Sequence, residues 1–296
     1  MPSWKDVVQD LASSLDRSRM DAINKLASLT DRNTIVYYSG WMQKPEAAGD
    51  AIILNDADIN GFMACIRGLD KSKGLDLVLH TPGGVISATQ AIVSYLRSIF
   101  GINIRAIIPQ LAMSAGTMLA CSCKEVWMGK HSSIGPFDPR FGSLSTYAVI
   151  GEFEQAKREI VANPLTSHAW RPILEKYRPG LIIECGQAIE LAHELVKDWL
   201  KTGMFKGHRD KARLAKKIVD QLGNAQKMKQ HDRHVSAEHA KQLGLVIKDI
   251  ENDNALQDAV LTIHHLSLYT LSVTPLVKLI ESSARESYNT FARPRA

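Results

Sequence analysis

Two short segments carry residue types that chemistry can use. His80-Thr81-Pro82-Gly83-Gly84 follows a strand-like apolar run, and about thirty residues later Ala112-Met113-Ser114-Ala115-Gly116-Thr117 follows another. Each opens a helix-like stretch. A Gly-Gly turn can aim backbone N–H groups into a site, and a serine at the next strand-to-helix junction can set its hydroxyl beside them. A nucleophile and an oxyanion hole are the minimum apparatus for acyl transfer. The plain alternative is a pair of ordinary strand–turn–helix corners, where Gly and Ser are common.

The elements that must position these segments follow from periodicity. Trp4 to Leu29 reads as one or two amphipathic helices, and Thr34-Ile35-Val36-Tyr37-Tyr38 as a strand. Between Asp56 and Leu69, the residues Ile59, Phe62, Met63 and Ile66 share one helical face. Leu75 to Leu79 is almost continuously apolar, as a buried parallel strand should be. A helical repeat runs from Val85 to Ile99, and Gly101 closes it. Ile102 to Ile108 is the next strand, Ser114 to Cys121 a small-residue helix, and Glu125 to Met128 a further short strand. Alternating strands and helices predict a layered α/β core with right-handed crossovers.

Helical patterns then run from Gly151 to about Leu222. Ser236 starts a helix that Gly244 ends, and Leu245-Val246-Ile247 returns as a strand. The reading divides the chain into an N-terminal helical segment over 1–32, a core over 33–250 with a helical insertion at about 151–222, and a C-terminal helical region over 251–296. The last of these ends in a polar, Arg-containing tail expected to be disordered.

Composition narrows the function. The 296 residues are 45% hydrophobic, enough for one large or two small cores. A net charge of +5 is mild, and the basic residues from Lys201 to Lys229 lack interleaved aromatics. They read as a solvated face, and no nucleic-acid partner is expected. Cys65, Cys121, Cys123 and Cys185 form no CxxC pair and sit among apolar neighbours, which predicts reduced, packed thiols in a cytoplasmic protein. The N-terminus shows no basic segment followed by an apolar stretch, so no secretory signal is expected. Ala255 to Ile280 is the longest apolar-leaning stretch, but Asp258, His264, His265, Pro275 and Lys278 interrupt it. It reads as packed helix, with peripheral membrane contact as its other use.

The order of these segments resembles the Clp protease/crotonase superfamily, and within it the serine dehydrogenase proteinase family, relatives of signal peptide peptidase A. The resemblance rests on Tyr37-Tyr38-Ser39, Leu79 to Gly84, Met113-Ser114-Ala115-Gly116 and His131 to Pro139. His231-Asp232-Arg233, Ala240 to Leu245 and Ile263-His264-His265 support it, so the match extends from about Asn33 to Ile280. It implies a spiral of ββα units with added N- and C-terminal helices, a peptide or protein substrate, and self-association into a homo-oligomer. By match to the motif, Ser114 takes the nucleophile position, the N–H groups of Gly84 and Ala115 take the oxyanion positions, and Gly83 shapes the turn. No cofactor and no metal are implied, and no GxGxxG follows a strand to hold a nicotinamide.

The base is the open step. A serine hydroxyl needs an acceptor within hydrogen-bond reach. The signal peptide peptidase relatives use a lysine some forty to fifty residues after the serine, which points to Lys157, with Lys176 next. Clp-type enzymes use a histidine, but Pro136 or Phe137 falls near its position, and His131 lies earlier in the segment. Asp138 could orient a base or bind a substrate amine, and also fits an Asx turn before Pro139. His80 could line the pocket or be structural. His231-Asp232-x-His234 has metal-like content without regular ligand spacing. The leading expectation is a serine peptidase with a Ser114–Lys157 dyad. The alternatives are a crotonase-type acyl-CoA enzyme and a catalytically silent oligomeric or membrane-surface scaffold. Crotonase sites usually need a carboxylate at specific turns, and none stands beside Gly83-Gly84.

Overall fold

Side-chain alternation in the first two strands divides the molecule into layers. β1 (Asn33–Ser39) and β2 (Leu75–His80) are buried along their whole length. Ile35, Tyr37, Leu75, Leu77 and Leu79 enter one core, while Val36, Tyr38 and Val78 enter another on the opposite face. The computed structural model describes residues 4–47, 49–142 and 144–292.

The other strands are β3 (Ile104–Ile108), β4 (Leu111–Ala112), β5 (Glu125–Met128), β6 (Ser133–Ile134), β7 (Arg140–Phe141), β8 (Leu144–Ser145), β9 (Val235–Ser236), β10 (Ile247–Asp249), β11 (Leu276–Ser282) and β12 (Ser287–Phe291). Among the described residues the main sheet runs β10-β5-β3-β2-β1-β11-β12. Its pairs from β10 to β1 are parallel, and β11 and β12 add an antiparallel edge. A second sheet, β4-β6-β9, is small, and β7 and β8 form a hairpin.

The helices are α1 (Trp4–Thr30), α2 (Gly49–Ile52), α3 (Asp58–Ile66), α4 (Ile86–Phe100), α5 (Ala115–Cys121), α6 (Thr146–Ala162), α7 (Ser167–Leu174), α8 (Leu181–Thr202), α9 (Lys211–Leu222), α10 (Ala225–Met228), α11 (Ala237–Leu243) and α12 (Asn254–Val273). α3, α4, α5, α8, α9 and α11 pack on one face of the main sheet, and α1 and α12 on the other. The helix ends follow the expected chemistry. Gly101 stops α4 at φ 58°, Gly244 stops α11 at φ 106°, and the Ser236 hydroxyl accepts from the His239 N–H at 3.3 Å. All four cysteines are free and buried, and burial pushes the thiols of Cys65, Cys121 and Cys123 up to about 12.

The C-terminal region departs from the helical expectation. After α12 the chain forms β11 and β12, and β11 pairs with β1 through Tyr37↔Ile280 and its neighbours. The lysine that broke the apolar pattern is neutralised inside the molecule, and so is Glu281 just beyond it. Lys278 Nζ lies 2.8 Å from Asp58 Oδ1 and 2.8 Å from the Ile53 carbonyl. Glu281 receives Arg19 of α1 at 2.7 Å, and Arg19 also donates to Thr270 of α12 at 2.8 Å. The N-terminal helix is thereby fastened to the last strands. Chain through residue 292 is ordered into this edge, and the remainder of the expected disordered tail lies outside the described residues. The apolar face of α12, with Leu256, Val260, Ile263 and Leu271, is spent on packing within the second core. No helix among the described residues is long and apolar enough to cross a membrane.

Candidate active site

Ser114 sits where β4 turns into α5, with φ 50° and ψ −117°. Few residues with a side chain adopt that conformation, because Cβ crowds the backbone. Neighbouring contacts fix it from several sides. The Met113 N–H donates to the Thr81 carbonyl at 3.0 Å, and the Thr81 N–H donates to the Leu111 carbonyl at 3.0 Å. Thr117 Oγ1 donates to the Ala112 carbonyl at 2.8 Å and accepts from the Gly135 N–H at 3.0 Å, joining β4, α5 and the end of β6. Ser114 stands at the N-cap of α5, yet its hydroxyl makes no capping bond and is left for other work.

The glycine turn lies directly against this serine. Gly83 has φ 101°, and a Cβ built there would stand 2.7 Å from Ser114 Cβ, 2.7 Å from the Met113 oxygen and 2.8 Å from the Ala115 nitrogen. Only a residue without a side chain permits that approach. Gly84 is equally confined, since a Cβ would run into the Leu54 backbone. The Gly83 carbonyl accepts from the Leu54 N–H, and the Leu54 carbonyl accepts from the Val85 N–H, both at 2.8 Å. The N–H groups of Gly84 and Ala115 have no acceptor among the described residues. Two free amide donors therefore stand in the two turns that meet at Ser114, itself half-buried.

The other residues singled out from the sequence scatter. Lys157 on α6 and Lys176 beyond α7 are exposed and make no described contact with Ser114. His80 follows the alternation of β2 onto the α12 side of the sheet. Its ring centroid lies 4.4 Å from Trp41, 5.2 Å from Tyr38 and 5.4 Å from His264. Neither of its ring nitrogens has a hydrogen-bond partner among the described residues, and burial holds it neutral by lowering its pKa to about 3. His264 receives or donates at 3.1 Å to the Tyr38 hydroxyl, and burial, aided by His265 and His131, lowers its pKa to about 4. His131 joins Gln110, Leu261, His264 and His265 around a cavity of about 330 Å³.

Asp138 is the exception. It is 1% exposed, and His231 Nδ1 lies 3.0 Å from its Oδ1, although 93 residues separate the two. Asp138 Oδ2 is buried without a partner among the described residues. The sequence placed His231 only within a supporting motif and a metal-like triplet. No group of three His, Cys, Asp or Glu able to hold a metal occurs among the described residues. The pairing was hidden because it depends on strand register. β6 pairs antiparallel with β9 through Ser133↔Ser236 and Ile134↔Val235, and the same register carried outward sets Asp138 opposite His231. Nothing short of the fold itself reveals that.

A profile of ClpP-like, SDH-type serine proteinases matches residues 52–280. Two uncharacterised proteins of Methanocaldococcus jannaschii are similar as well. One is 33% identical over 98 residues, covering 33% of this chain and 34% of the relative. The other is 26% identical over 190 residues, covering 64% of this chain and 57% of the relative. The match thus spans about a third of one relative's length and little more than half of the other's. The profile covers well over half of the chain, from just before Leu54 into β11, and the chain belongs to the family of ClpP-like, SDH-type serine proteinases.

Proposed function

We propose that this protein is a serine peptidase in which Ser114 is the nucleophile. The observation that supports this most directly is the contact between Gly83 and Ser114, which sets two unpaired N–H groups beside a hydroxyl on a strained turn. Ser114 Oγ attacks the scissile carbonyl carbon, and the carbonyl electron pair moves onto oxygen. That oxygen is received by the Gly84 and Ala115 N–H groups, at the positive end of α5. Collapse of the tetrahedral intermediate expels the amine and leaves an acyl-serine, which water then hydrolyses.

The chain path supports the expected spiral of ββα units. Each turn contributes one strand to the main sheet and one to the small sheet, as in β3 and β4, then β5 and β6. A homo-oligomer fits the apolar side chains left exposed on the helical insertion, including Val161, Leu165 and Ile183.

A fluorophosphonate probe tests the nucleophile. The wild-type chain is expected to gain one adduct by intact mass, and Ser114→Ala none. An adduct that persists in Ser114→Ala would remove Ser114 from the mechanism, and binding of acyl-CoA in place of labelling would favour the crotonase-type chemistry.

A further inference from the structure

We propose that Lys278 and Asp58 are positioning residues for the oxyanion donor at Gly84, acting through the strap of residues 53–55 that joins α2 to α3. This deepens the reading of Ser114 as nucleophile and rests on it. Three observations carry it.

The first is how the Gly84 amide is aimed. Leu54 forms a parallel bridge with Gly84: its N–H donates to the Gly83 carbonyl and its carbonyl accepts from the Val85 N–H, both at 2.8 Å. In a parallel ladder, a residue that bonds the two neighbours of its partner leaves the partner's own N–H and C=O facing the other way. The strap therefore clamps the chain before and after Gly84 and turns the Gly84 N–H away from itself. It also lies against the turn, with no room for a Cβ between them. A displaced strap carries that amide with it.

The second is what holds the strap. The residues on either side of Leu54 are both tied to one buried ion pair. Lys278 Nζ donates to the Ile53 carbonyl at 2.8 Å, and Asp58 Oδ2 accepts from the Asn55 N–H at 3.0 Å. Lys278 Nζ also lies 2.8 Å from Asp58 Oδ1 and 3.1 Å from Oδ2, so the strap and the carboxylate engage all three of its protons. A buried ion pair seldom adds stability over well-packed apolar side chains, so its distinct contribution here is the fixed place of these bonds.

The third is a second route from the same carboxylate to the same turn. The Tyr37 hydroxyl donates to Asp58 Oδ2 at 2.9 Å and meets the Thr81 side chain. Thr81 Oγ1 in turn accepts from the Gly83 N–H at 3.1 Å. Gly83 is thus held through Tyr37 and Thr81, and Gly84 through the strap. An oxyanion donor lowers a barrier when it already points to where the charge will form, and both routes fix that direction in advance.

The test is fluorophosphonate labelling of the full chain over a range of probe concentrations, resolved into the limiting rate kinact, the half-saturating concentration KI and the final number of adducts. Lys278→Met combined with Asp58→Asn removes the ammonium and leaves no buried charge behind. It is expected to recover its urea midpoint relative to Lys278→Met alone, yet to label about 10-fold or more slowly, part of the roughly 100–1,000-fold that loss of a whole oxyanion donor costs. KI should stay within about twofold, as for an interaction made only in the transition state. A protein that is merely destabilised labels a smaller fraction at the native rate. Arg19→Met, which breaks the other buried pair of β11 at Glu281, should behave in that way, with a lower urea midpoint and unchanged kinact. Asp58→Asn alone is the second variant should the double one fail to fold, and the same split is expected of it. A kinact close to wild type in the folded variant, an effect carried by KI, or an equal slowing in Arg19→Met would overturn the proposal while leaving Ser114 as nucleophile. Unchanged labelling of Ser114→Ala would remove the underlying reading instead.

Discussion

Ser114 costs the fold something, and the cost can be measured. A non-glycine residue at φ 50° and ψ −117° carries strain of about 1–3 kcal/mol. Ser114→Gly should relieve most of it, less the roughly 0.5–1 kcal/mol that glycine adds to chain entropy. The expected outcome is a protein that does not label with a serine probe yet unfolds at equal or higher urea concentration than wild type. A clear drop in stability would mean that the turn is relaxed and that its shape has no link to reactivity. Asp138 and His231 show the opposite case. Their pairing leaves no trace in spacing, composition or periodicity, because it depends on the antiparallel register of β6 against β9, set by segments about a hundred residues apart.

Among the elements, β11 tests how charges enter a strand. Lys278 and Asp58 are each 2% exposed at the side chain, and Asp58 also accepts from the Tyr37 hydroxyl at 2.9 Å. Lys278→Met strands that carboxylate and should cost about 3–5 kcal/mol by urea denaturation. Lys278→Met combined with Asp58→Asn should recover much of the loss. A single variant within about 1 kcal/mol of wild type would show that the pair contributes little.

The same strand shows where sequence reading stops. β2, β3 and α4 are legible because each keeps its pattern around a single charge: a nearly continuous apolar run or a helical repeat ended by glycine. β11 is not, since its lysine and glutamate find partners on α3 and α1, far away along the chain. The serine turn and the glycine turn were legible for a local reason, as each needs small residues at one corner. Lys157 matched the spacing of related enzymes, but spacing on an exposed helix says nothing about which way the lysine reaches.

For the whole molecule, the buried histidines set a pH dependence. His80 and His264 are neutral in the fold, with pKa values lowered to about 3 and about 4 from the usual 6.5. Below pH 6.5 the unfolded chain binds protons that the fold refuses. Stability is therefore complete above that pH and declines as pH falls toward 4, by on the order of 2 kcal/mol per ring at pH 5. Urea titrations at pH 7 and pH 5 measure the decline. His80→Phe keeps an aromatic ring against Trp41 and should remove roughly half of the slope. A stability that is flat between pH 7 and pH 5 would refute the neutral cluster.

The pairing of β1 with β11 also has a consequence for synthesis. β1 is made early and finds β2 within a few dozen residues, but its other edge stays bare until Leu276–Ser282 has left the ribosome. Until β11 is made the chain thus presents an open, apolar strand edge, the kind that captures other chains. Arg19 of the first helix waits over the same interval for Glu281. A nascent chain stalled before β11 holds the serine turn and both free amides, yet lacks the seam that makes the molecule safe to release.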